Sequence, residues 1–165
     1  IPFRTPAEGH NVAFTSLWDN YPDSLEIPLK GKASRAYLLM AGSTNHMQCH
    51  IDNGVIRVYY KDGTCDVMFL RNPDNWPPIE HIFFEDGLAF NRHTPALYRL
   101  RLKTGEISNN FGEELGFPGA SRELDGGAAV LLEMPLNPGK KLSHLVLETL
   151  SNDAVIGLMS ITLQR

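Results

Sequence analysis

Three sets of side chains in this sequence are of types that chemistry uses. The first is carboxylates: Glu80, Glu85 and Asp86 in one stretch, and Glu113 beside Glu114 in another. Glycoside hydrolysis needs two such groups flanking a bond, roughly 5 to 10 Å apart. Adjacent Glu113 and Glu114 in a Gly-rich stretch read as a solvated turn, because nothing around them raises a carboxylate pKa. Glu80 follows Trp76-Pro77-Pro78-Ile79, a setting that suits a hydrogen-bonded structural carboxylate better than an acid catalyst. A small glycan hydrolase using Glu80 and Asp86 is therefore the weakest functional reading.

The second set is His10, His46, His50, His81, His93 and His144, with Cys49 and Cys65. His46 and His50 are four apart, the spacing by which a helix aims two imidazoles at one metal. Their neighbours Thr44-Asn45 and Cys49 place them on a strand-to-loop transition, where that spacing aligns nothing. The chain has no H-E-x-x-H, C-x-x-C or G-x-S-x-G, and no glycine run with the strand-to-helix setting of a phosphate loop. The expectation is no catalytic residue and no metal site. Two cysteines make neither a disulfide framework nor a four-ligand zinc site, so they read as one bridge or as two small buried hydrophobes.

The third set suits sugars. An aromatic ring stacks on the apolar face of a pyranose while planar amide, carboxylate or guanidinium groups fork onto hydroxyls. Trp18-Asp19-Asn20-Tyr21 offers that mixture among turn formers, and Trp76 with Asn75, Glu80 and Arg71 offers a second. Asn45, His46 and Gln48 form a third polar group just past an apolar strand. Against this stands a structural reading: the aromatics cap the end of a sandwich, and Asn20 and Asn45 serve turns.

The elements that position these residues are strands. Alternation over five to nine residues recurs between turn formers, and a helical apolar stripe does not. Strands are expected around 12–15, 25–29, 36–41, 96–103, 128–134, 142–150 and 155–163. A hairpin joins Gly54–Tyr60 to Cys65–Leu70. With Asp62-Gly63 as a two-residue loop, Tyr60 faces Cys65, Val58 faces Val67 and Ile56 faces Phe69 on an apolar side. Arg57 and Met68 then share the polar side. In the last strand Val155, Met159, Ile161 and Leu163 share a face, with Gly157 marking a bulge or a close approach. In the strand before it, Leu145 and Leu147 point inward while His144 and Glu148 point out. About nine short strands make an all-β jelly-roll sandwich, with two long Pro- or Gly-rich stretches, 71–91 and 104–125, inside it.

The 165 residues suit a single domain over 1–165. The chain opens on Ile1-Pro2-Phe3, which reads as the interior of a longer polypeptide. A net charge of −4, with no local cluster of Lys or Arg, lacks the electrostatic footprint of a nucleic-acid binder. No apolar run approaches the ~18 residues of a membrane-spanning helix.

Several segments in order carry a resemblance. They are Ile1-Pro2-Phe3, Asn11–Ser16, Tyr21-Pro22, Ile27-Pro28-Leu29, Gly31-Lys32-Ala33, Tyr37–Asn45, the hairpin, Asn75-Trp76 with Pro78-Ile79-Glu80, and Leu147–Leu163. Together they resemble the galactose-binding-domain-like β-sandwich modules attached to glycoside hydrolases of gut polysaccharide-degrading bacteria. The likeness spans 1–80 and 126–163. It implies a non-catalytic accessory module in a secreted, periplasmic or cell-surface setting. The implied partners are a carbohydrate ligand, met by loops at one end of the sandwich, and the catalytic domain of the same polypeptide. It also implies a structural calcium, as many members carry, although no residue here maps to its motif. The competing function is a packing module with no ligand, whose 75–84 segment contacts that catalytic domain.

Overall fold

The computed structural model describes residues 1–6, 8–45, 47–81, 92–111 and 123–165. It is all-β: ten strands among the described residues lie in two antiparallel sheets. β1 (Ala13–Ser16), β10 (Ala154–Gln164), β3 (Arg35–Thr44), β8 (Ala128–Pro135), β6 (Arg99–Arg101) and β7 (Ile107–Ser108) form the larger sheet in that order. β2 (Ser24–Pro28), β9 (Leu142–Thr149), β4 (Gly54–Tyr60) and β5 (Cys65–Leu70) form the smaller one. No described helix is long and apolar enough to cross a membrane.

Alternation builds the core between the sheets. Leu38 and Met40 of β3, Val130, Leu132 and Met134 of β8, and Ile156 and Leu158 of β10 come from the larger sheet. Ile56 and Val58 of β4, Leu145 and Leu147 of β9, and Leu70 of β5 meet them from the smaller. Leu145 and Leu147 point inward as the pattern predicts. Side chains at such positions each contribute roughly 1.5–3 kcal/mol by leaving water.

Two registers differ from the sequence expectation, each by one residue. In the β4–β5 hairpin, the Tyr60 amide donates to the Thr64 carbonyl (2.9 Å) and the Gly63 amide to the Tyr60 carbonyl (3.1 Å). The loop is therefore Lys61-Asp62-Gly63, with Gly63 at φ 83°, a left-handed position that glycine occupies cheaply. The Asp62 carboxylate accepts from both the amide (3.0 Å) and the hydroxyl (2.6 Å) of Thr64, which fixes the longer loop. Tyr59 now opposes Cys65, Val58 opposes Asp66 and Arg57 opposes Val67. Met68 consequently packs against the core, while Val67 and Phe69 are 46% and 41% exposed. The inward Asp66 is satisfied by the Tyr60 hydroxyl, which also accepts from the Asn137 amide at 2.7 Å.

In β10 the pairing with β3 shifts between Leu158 and Ser160. Met159 is the extra residue, so the inward set is Ile156 and Leu158, then Ile161 and Leu163. Val155 and Met159 do not share the face of Ile161. Gly157 is a close approach and not the bulge: a Cβ there would run into the Ala41 carbonyl.

The cysteines also differ from expectation. They form no disulfide; Cys65 is exposed and Cys49 half-buried. The hairpin shift turns Cys65 outward, and Cys49 precedes β4 in a loop, where the Asn72 side-chain amide donates to its sulfur at 3.4 Å.

Candidate functional site

Strand directions bring four connections to one end of the sandwich: 17–23, 45–53, the start of the β5–β6 connection from 71 to 76, and 150–153. Buried Asn53 stitches this rim together. Its side-chain amide donates to the Gln48 carbonyl and Ser151 hydroxyl (both 3.3 Å), and its side-chain oxygen accepts from the Asn72 amide (2.9 Å). Its backbone carbonyl accepts from the Leu150 amide at 2.9 Å.

The loop between β1 and β2 projects from this rim. The Ser16 amide donates to the Pro22 carbonyl (3.1 Å), closing its neck, and the Tyr21 amide donates to the Trp18 carbonyl (2.9 Å), turning its tip. The Ser16 hydroxyl accepts from the Trp18 amide (3.3 Å) and donates to the Ala154 carbonyl (2.8 Å), tying loop to sheet. Trp18 is 51% exposed and Tyr21 36%, with ring centroids 6.3 Å apart. Phe14 meets the Tyr21 ring edge-on at 5.0 Å and braces it. Sequence reading did not single out Phe14; its outward place in β1 was the available sign. Asp19 and Asn20 are exposed on the same loop.

The other expected residues divide by role. The Asn45 side chain accepts from the Met47 amide (3.0 Å) and its backbone amide donates to the Asp153 carbonyl (3.0 Å), so it serves a turn. His46 lies outside the described residues, as do Glu85, Asp86, Glu113 and Glu114. The Gln48 side-chain oxygen is buried with no hydrogen-bond partner among the described residues. Arg71 is exposed, paired with Asp52 at 2.5 Å, and its guanidinium lies 5.6 Å from the centre of the Phe69 ring. The Asp52 hydrogen bond raises the Arg71 pKa and keeps the charge fixed.

Trp76 is not a binding platform: it is fully buried in the core, packed beneath Gly42. The reason is local. The Arg71 carbonyl accepts from the Trp76 amide (3.1 Å), and the indole fills the space that glycine leaves, so a Cβ on Gly42 would lie 2.8 Å from it. Pro77 and Pro78 are buried with it.

Glu80 is held in the frame. Its carboxylate accepts from the Ser43 hydroxyl (2.8 Å) and its carbonyl from the Leu124 amide (2.6 Å). Beneath this stretch lies Arg99, missed by sequence reading. Its guanidinium donates to the carbonyls of His81, Pro78 (2.9 Å), Ile79 and Ala128 (both 3.1 Å). Burial lowers its pKa to about 10, against the opposing pull of Glu80.

No protein-family model, curated protein or solved structure matches this chain.

Proposed function

We propose that this chain is a non-catalytic, galactose-binding-like accessory module of a carbohydrate-active enzyme, and that it binds glycan at the rim through the 17–21 loop. The observation that carries the reading is the exposed Trp18, beside Tyr21, on a loop whose backbone is hydrogen-bonded at both neck and tip. An indole held in water is poorly used by the fold and well used by the apolar face of a sugar ring. Asp19 and Asn20 supply acceptors and donors for hydroxyls, and the Arg71–Asp52 pair adds a planar polar group at the same rim.

Retention on immobilised glycans tests it. Trp18→Ala should abolish retention while the thermal melt stays within error of the parent. Undiminished retention removes Trp18 as the platform.

A second reading, a ligand-free packing module, is favoured by one feature: Val67 and Phe69 stand exposed on the outer side of edge strand β5. The 75–84 segment serves it poorly, because Trp76, Pro77 and Pro78 are buried within the module itself. Association with the adjoining catalytic domain, abolished by Phe69→Glu and untouched by Trp18→Ala, would select this reading.

A further inference from the structure

We propose that His50, Asp74 and His93 bind a divalent transition-metal ion of the zinc type through two imidazole nitrogens and one carboxylate oxygen. One ligand atom from each lies within 4.8 Å of the others. The three come from separate stretches of chain: His50 from the β3–β4 loop, Asp74 from the turn after β5, and His93 from the approach to β6.

Each donor is set by backbone geometry. His50 stands at φ 58°, a left-handed conformation uncommon for a residue with a side chain, and its amide donates to the Asn72 carbonyl at 2.7 Å. Asp74 accepts the His93 amide on one carboxylate oxygen (2.6 Å), and the other lies 3.4 Å from His93 Nδ1. The Thr94 hydroxyl donates to the Asp74 carbonyl at 2.7 Å, binding the 92–94 stretch to the turn. The two imidazole rings face one another with centroids 4.6 Å apart and planes at 43°.

One pair already has the spacing of a shared ion, and the three donors, within 4.8 Å of one another, need only close around it by side-chain rotation. Two ligand atoms at about 2.0–2.1 Å from zinc in a tetrahedral site are separated by about 3.3–3.4 Å. That matches the Asp74–His93 separation. The donor set selects the metal: neutral imidazole suits zinc, copper, nickel and iron, whereas calcium and magnesium take oxygen ligands. With three protein donors and both histidines exposed, the fourth position opens to solvent at the rim. There it can take water or a hydroxyl group from a ligand. The site does not depend on Trp18 or on the glycan reading.

The test is zinc binding by the purified 165-residue chain after chelator treatment, read by competition with a chromophoric chelator. One zinc per chain is expected, undisplaced by excess calcium. His93→Gln and His50→Asn, the latter keeping a residue that tolerates the left-handed backbone, should each weaken binding about tenfold or more. Asp74→Asn should weaken it less. Cobalt substitution should give the visible absorption of a tetrahedral nitrogen–oxygen site without a thiolate charge-transfer band. Absence of stoichiometric zinc in the parent chain would overturn the assignment. So would unchanged affinity in both histidine variants, calcium competing equally, or a thiolate band from Cys49 or Cys65. Circular dichroism of each variant confirms the fold, and His93→Gln, altered at an exposed side chain, decides if His50→Asn does not fold.

Discussion

The two tryptophans show how residue type alone underdetermines role. Trp76 is an interior residue, and Trp76→Ala should cost about 3–5 kcal/mol in denaturant unfolding. Trp18→Ala at an exposed loop position should change stability by less than about 0.5 kcal/mol. The deciding neighbour is Gly42, whose missing side chain admits the Trp76 indole. Nothing in the stretch around Trp76 announces that vacancy, so in sequence the two aromatics look alike. Tyr60 carries a pH effect. Burial, then its hydrogen bond to Asp66, raises its pKa to about 12 from an ordinary 10. The folded value lies above the unfolded one, so its contribution is complete below pH 10 and is lost as pH rises through 12. Stability curves should therefore decline less over that interval in Tyr60→Phe than in the parent. Arg99, shifted downward, acts with the opposite sign but equally in both proteins.

At the scale of elements, the longer strands were legible, β7 inside the 104–125 stretch was not, and phase was legible in β4 and β9 but not in β5 or β10. Period-two alternation locates β3, β4, β8 and β9 because one face of each must leave water. The phase of β5 turns on whether its loop holds two residues or three. Lys61-Asp62-Gly63-Thr64 permits both, and the choice falls to the Asp62–Thr64 hydrogen bonds. In β10 the single extra residue Met159 does the same. The hairpin register has a direct check. Met68→Ala should cost about 1–3 kcal/mol, whereas Val67→Ala should cost well under about 1 kcal/mol. The reverse ranking would restore the two-residue loop. Arg99 was illegible for another reason: its four carbonyl partners come from 78–81 and from β8, far from it in sequence.

Across the whole molecule, the antiparallel wiring sends chemically useful loops to a single end and leaves Asn53 to join them. Removing that buried side chain takes away three hydrogen bonds, to the Gln48 carbonyl, the Ser151 hydroxyl and the Asn72 amide. Asn53→Ala should therefore lose about 2–4 kcal/mol; on the proposed glycan-binding reading, retention should fall with it, whereas Trp18→Ala should lose retention alone. The Trp18 loop could be picked out from sequence because its side chains are contiguous. The His50, Asp74 and His93 cluster could not, since three distant segments assemble it and no spacing records their meeting.

The hydrogen bond between Ser16 and Pro22 gives the 17–21 loop a property of its own. Because the strands are clasped below the tip, the five residues above can be exchanged without disturbing what lies beneath. Mutation can thus rewrite what this face meets while the scaffold stays the same, and a library randomised there should yield folded proteins with new preferences.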